Sequence, residues 1–85
     1  MNYNELNNDE LKKLIYELIE KKYKGIVSRY TIEGILLYTY KCSHNKMYRI
    51  LMESVLEEKL SLVELSDGQY YRLNENGRLE NYGQS

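Results

Sequence analysis

At 85 residues the chain has room for one compact domain and none for a second core. Its 42% hydrophobic and 29% charged residues exclude a disordered chain, and no apolar run approaches the roughly 20 residues of a membrane span. A single cysteine, Cys42, excludes an internal disulfide, and the polar start Met1 to Asp9 lacks the plan of a signal peptide, so a cytoplasmic protein held by packing is expected.

The net charge of −1 hides an uneven distribution. Residues 1–11 carry three acids and no base, residues 12–49 nine bases against three acids, and residues 50–85 three bases against seven acids. A basic centre between acidic ends can offer one positive face to a polyanion, because local field steers association more than net charge does. Lysines scattered over solvated helix faces would give the same count. Ten Tyr and eight Asn stand beside no Ala, Pro, Trp or Phe, a bias that an AT-rich genome produces. Tyrosine is thus the only aromatic for core and surface alike, and its abundance does not mark a stacking surface.

In chain order, Leu11, Leu14, Ile15, Leu18 and Ile19 follow the i, i+3, i+4 spacing of an amphipathic helix over about Asp9 to Lys24. Asn8 or Asp9 can cap it, and Gly25 supplies the stop. Ile26 and Val27 are β-prone and long enough only for a minimal strand, which could become the third strand of a small sheet. A second helix is expected from about Thr31, its cap, to Tyr40, with Ile32, Ile35, Leu36 and Tyr40 facing inward. Lys41-Cys42-Ser43 then reads as a tight turn, and Ser43 as the N-cap of a third helix to about Lys59. On that helix Met47, Ile50, Leu51, Ser54 and Val55 share one side, and Asn45, Arg49 and Met52 the other.

After Leu60 the period changes to two, with Leu62, Glu64 and Ser66 alternating with Val63 and Leu65. Asp67-Gly68 before Tyr70-Tyr71-Arg72-Leu73 is a hairpin signal, since Gly accepts positive φ without steric cost. Asn74 to Gly77 turns the chain, and Arg78 to Ser85 is a polar tail, a short helix or disordered. The domain is therefore the whole chain, residues 1–85, with a core over about 10–79 and polar tails at 1–8 and 80–85.

The order helix, short strand, helix, turn, helix, hairpin resembles the winged helix-turn-helix family. The likeness is sharpest at Tyr70-Tyr71-Arg72-Leu73-Asn74-Glu75-Asn76-Gly77-Arg78. That run is similar to the tyrosine, any residue, leucine, threonine, any two residues, glycine pattern closing the second wing strand of many bacterial and archaeal regulators. Asn74 replaces the usual threonine and can likewise cap a following turn. With its small size and AT-rich bias, the chain looks like a small archaeal, viral or plasmid type transcription regulator. The resemblance implies an α+β fold of three helices followed by a β-hairpin wing.

It also implies that the third helix enters the major groove of double-stranded DNA, with Ser43, His44, Asn45, Lys46, Tyr48 and Arg49 at the contact. Their chemistry suits such a contact, since Arg49 can donate two bonds to a guanine edge, Asn45 can pair with adenine, and Lys46 can neutralise phosphate. Ser43 and the free amides of the helix start would hold a phosphate. The wing tip Ser66-Asp67-Gly68-Gln69 is short and acidic, unlike wings that enter the minor groove with arginine or lysine. Arg72 is the one base in the hairpin and is expected to face outward and touch a flanking phosphate.

Winged helices also serve as protein adaptors, and the acidic second half keeps that alternative open. Catalysis has little support. Cys42 and His44 fall short of the four ligands of a structural zinc site and lack an orienting third group for nucleophilic chemistry. No metal, cofactor or small-molecule effector is expected; Cys42 is read as a buried turn residue. A homodimer is expected, because one recognition helix covers few base pairs. Tyr3, Leu6, Tyr16, Tyr23, Leu79 and Tyr82 supply its candidate interface, leaving the third helix free. Alternatively Tyr16 and Tyr23 cover the domain's own core.

Overall fold

The computed structural model describes residues 6–78. Helix α1 (Asn8–Tyr23) starts one residue earlier than the apolar stripe suggests, because its cap is Asn7 rather than Asn8 or Asp9. The Asn7 side chain accepts from the Glu10 amide at 2.8 Å and the Glu10 carboxylate accepts from the Asn7 amide at 2.9 Å, so two orphan donors are satisfied reciprocally. Lys24 ends the helix in the left-handed region at φ 61°, and Gly25 follows at φ 95°, its amide donating to the Ile19 carbonyl.

The Ile26-Val27 pair does become a strand: β1 (Ile26–Ser28) pairs antiparallel with β3 (Gly68–Leu73), Val27 opposite Tyr71. Helix α2 (Arg29–Gly34) then begins at once, two residues before the expected Thr31. Thr31 is exposed in the first turn and caps nothing; Ser28 holds the cap position without a side-chain bond. The first turn is fixed instead by Arg29, whose guanidinium donates to Glu33 at 2.9 Å and to Gln69 on β3. Residues Ile35–Thr39 continue α2 as a π-helical segment, and the amides of Tyr40 and Cys42 reach back to the carbonyls of Ile35 and Leu36. Lys41 at φ 61° makes the turn, and Ser43 caps α3 (His44–Leu56) as expected.

Helix α3 ends three residues short of Lys59, because Glu58 takes φ 62° and turns the chain into β2 (Leu60–Leu65). The hairpin link is Ser66-Asp67, one residue earlier than the Asp-Gly signal suggests. Leu65 pairs with Gly68, and the positive φ of 140° falls on Gly68 as the first residue of β3. A 3-10 turn (Glu75–Gly77) closes the described chain. Asn74 does not cap it with its side chain. Its amide group instead donates to the Glu58 carbonyl and its oxygen accepts from the Ser61 hydroxyl, tying the end of β3 to the α3 to β2 turn.

The architecture is α+β, with three helices against a three-stranded antiparallel sheet of order β1-β3-β2. Leu11, Ile15, Tyr16 and Ile19 of α1, Ile32 and Leu36, Met47, Ile50 and Leu51 of α3, and Val27, Leu60, Tyr71 and Leu73 of the sheet form one buried core. Leu14, Leu18 and Val55 pack at its edge. No helix among the described residues is long and apolar enough to cross a membrane.

Candidate functional site

Helix α3 exposes what its inward stripe leaves over. Met47, Ile50, Leu51 and Ser54 are buried, so a helical period turns Asn45, Tyr48, Arg49 and Met52 to solvent. Asn45 and Arg49 stand one turn apart, and neither side chain makes a hydrogen bond among the described residues. Arg49 lies in the field of Glu53, whose carboxylate is drawn below its usual pKa first by Lys12 and then by Arg49. His44 is exposed and stacks at a tilt on Tyr48, ring centroids 6.5 Å apart.

Two expected phosphate contacts have other duties. The Ser43 hydroxyl accepts from the Lys46 amide at 3.1 Å, which caps α3. The Lys46 ammonium donates to the Leu6 carbonyl at 2.8 Å and is half-buried against the segment leading into α1. Arg72 is exposed, as its alternation with Tyr71 requires, but it sits on the central strand opposite Ile26 and Ser61. Since Tyr71 and Leu73 face the core, Arg72 points from the other face of the sheet, away from α3. The fold therefore gathers His44, Asn45, Tyr48 and Arg49 on one exposed face and leaves Arg72 apart.

The basic centre is also partly internal. Lys12 is buried, and its ammonium meets Glu53 at 2.8 Å and Glu57 at 3.3 Å across the α1 and α3 contact. Burial alone would lower its pKa, but the two carboxylates outweigh burial and raise it. Arg29 is held by Glu33 and Gln69. Lys22 lies over the Tyr23 ring at 5.6 Å. The positive face that residues 12–49 could offer is thus narrower than their charge, with Lys41 and Arg49 the exposed bases at and after the α2 to α3 turn.

Cys42 is buried in the turn, its thiol pushed up by burial, which keeps it protonated and a poor nucleophile. Among the described residues no three of His, Cys, Asp and Glu cluster to hold a metal. Of the surface offered for dimerisation, Tyr16 is a core residue and Leu6 and Tyr23 are half-buried against the core. Tyr3, Leu79 and Tyr82 lie outside the described residues.

Sequence reasoning did not single out the apolar surface. Tyr48, Met52 and Leu56 form an outward i, i+4, i+8 stripe along α3, 50%, 60% and 74% exposed, and Leu62 on β2 beside it is 45% exposed. Tyr30 and Tyr38 stand out from the second helical unit. The signal lies in the i, i+4, i+8 spacing of Tyr48, Met52 and Leu56, which the polar Asn45 and Arg49 on the same side interrupt. No family model matches the chain, and no similar protein or solved structure is found for it.

Proposed function

We propose that the chain is a winged helix-turn-helix transcription regulator that binds double-stranded DNA, with α3 as the reading helix and β2 and β3 as the wing. The element order and the β1-β3-β2 sheet are compatible with that layout. The observation that carries the reading is the pairing of Asn45 and Arg49. They are one helical turn apart, exposed, and have donors and acceptors not spent within the described residues. A side-chain amide and a guanidinium so placed on the first half of a helix suit adenine and guanine edges in a major groove. Lys41 and the ring pair of His44 and Tyr48 flank them and can meet the backbone. The hairpin tip carries Asp67 and no base, so the wing is a support for α3 rather than a minor-groove probe.

Titrating the protein against random duplex DNA at low and at moderate salt tests this. Phosphate contacts make the logarithm of the binding constant fall with the logarithm of salt by about 0.9 per contact. A shallow slope, or no binding at low salt, would defeat the proposal. The adaptor reading has one specific observation in its favour, the apolar stripe from Tyr48 to Leu56, because exposed apolar patches mark protein contacts more often than nucleic-acid contacts.

A further inference from the structure

We infer that the exposed face of α3 from Tyr48 to Leu56, with Leu62 of β2, is where a second copy of this chain docks, and that this pairing hides Arg49 of the DNA-reading pair. Tyr48, Leu51, Met52, Val55, Leu56 and Leu62 line one open groove of about 340 Å³, with the Arg29 and Glu33 pair also at it. The groove and the exposed Tyr48, Met52 and Leu56 side chains are one apolar surface, which a two-fold axis through Met52 sets against itself.

Charge selects a second copy over other occupants. Arg49 and Glu53, at i and i+4, lie on one flank of the stripe, the base ahead of the acid. When two α3 helices lie antiparallel with the axis at Met52, Tyr48 of one comes level with Leu56 of the other. Arg49 then falls two residues, or about 3 Å along the helix, from Glu53 of the second copy. Glu53 gives its Oε1 to Lys12 and is still 38% exposed, so its other oxygen can take that guanidinium. A stripe with this polarity is its own complement when reversed, because an antiparallel two-fold keeps both copies' Arg49 and Glu53 on one side of the seam; a parallel two-fold sends them to opposite sides and pairs neither.

The pairing covers Tyr48 and Arg49, so DNA and the second copy compete for one face. The self-association stands without the DNA reading; only the competition rests on it. This dimer differs from the one expected through α1 and the termini, which would leave α3 free.

Sedimentation of the full chain from micromolar to millimolar concentration, with no DNA present, is the first test. The parent should shift from one to two chain masses. Met52→Lys with Leu56→Lys, at positions 60% and 74% exposed, should keep the helical spectrum and weaken association by about tenfold or more. A parent that stays monomeric, or a double variant that dimerises as well as the parent, overturns the proposal. A second arm does not depend on the lysine variants folding. Met52→Cys places a thiol on the axis and should couple into disulfide dimers under mild oxidation, whereas Asn45→Cys, and the parent with only buried Cys42, should not; equal coupling overturns the geometry. Added duplex DNA should suppress the Met52→Cys coupling. DNA that binds without suppressing it removes the competition, while DNA that does not bind at all defeats the DNA reading and leaves the dimer standing.

Discussion

The Tyr16 hydroxyl on α1 lies 2.6 Å from the Ser54 hydroxyl on α3, and both are buried. Ser54 gives its own proton to the Ile50 carbonyl at 2.7 Å, so Tyr16 must be the donor and Ser54 the acceptor. This direction predicts an asymmetry. Tyr16→Phe removes the donor but leaves Ser54 satisfied through Ile50, and should cost about 0.5 to 1.5 kcal/mol. Ser54→Ala strands a buried phenol and should cost about 1 to 3 kcal/mol. The double variant should be close to Tyr16→Phe alone, and denaturant unfolding of all four proteins measures the coupling. Equal single costs would mean that Ser54 is not what satisfies the buried phenol.

Alkaline stability follows from the same residue. Burial raises the phenols of Tyr16 and Tyr71; burial works to lower Lys12, but the Glu53 and Glu57 carboxylates outweigh it and raise that group too. All three groups hold their protons more tightly folded than unfolded. Their contribution is therefore complete below about pH 10, where the unfolded groups are still protonated, and is lost as pH rises through the folded values. The thermal midpoint should fall above about pH 10, and less steeply in Tyr16→Phe. A midpoint that rises or stays flat there would contradict the burial of these groups.

Leu51 sits in the buried stripe of α3 with Met47 and Ile50. Leu51→Ala should cost about 2 to 5 kcal/mol, the range for emptying a packed leucine site. An unchanged midpoint would mean that α3 is rotated, and the exposed reading face would fall with it.

Two glycines should respond in opposite directions. A methyl at Gly77 would lie 2.8 Å from the Lys59 carbonyl oxygen and from Leu73 Cδ1, backbone that the Asn74 bonds hold in place, so Gly77→Ala should destabilise by about 1 to 3 kcal/mol. At Gly34, inside α2, the nearest atom is Tyr38 Cδ2 at 4.0 Å, and Gly34→Ala should stabilise by about 0.5 to 1 kcal/mol. Thermal unfolding of the two variants reads both signs at once.

If α3 reads DNA, Asn45→Ala and Arg49→Ala should each weaken specific binding by about 1 to 3 kcal/mol without lowering the thermal midpoint, since both side chains are exposed. Competition binding against a selected site measures this. Two variants that bind as tightly as the parent would remove α3 from the interface.

The apolar period by itself determined the three helices, the inward side of α3 and the two strands of the hairpin. Burial of one face is a local demand that each segment meets alone, and Leu11, Ile15, Ile19, Met47, Ile50 and Leu51 meet it where the spacing puts them. Capping residues came through less well, because several side chains in a row can cap and the tertiary entry angle chooses among them. Asn7 took the place of Asn8 or Asp9, and Ser28 that of Thr31.

What only the tertiary structure decided is how the charges are spent. Lys12, Arg29 and Lys46 count as surface bases in sequence, yet each meets a partner 40 or more residues away: Glu57, Gln69 and the Leu6 carbonyl. Such pairings depend on which elements pack together, and no local period encodes them. The same holds for Arg72, whose alternation with Tyr71 the strand period fixed, while the packing of the helices on the Tyr71 and Leu73 face decided that it points away from α3. It holds as well for Tyr16, an apolar ring with a polar tip that suits a surface or a core equally; Ser54, brought opposite by the packing of α1 on α3, settled it for the core.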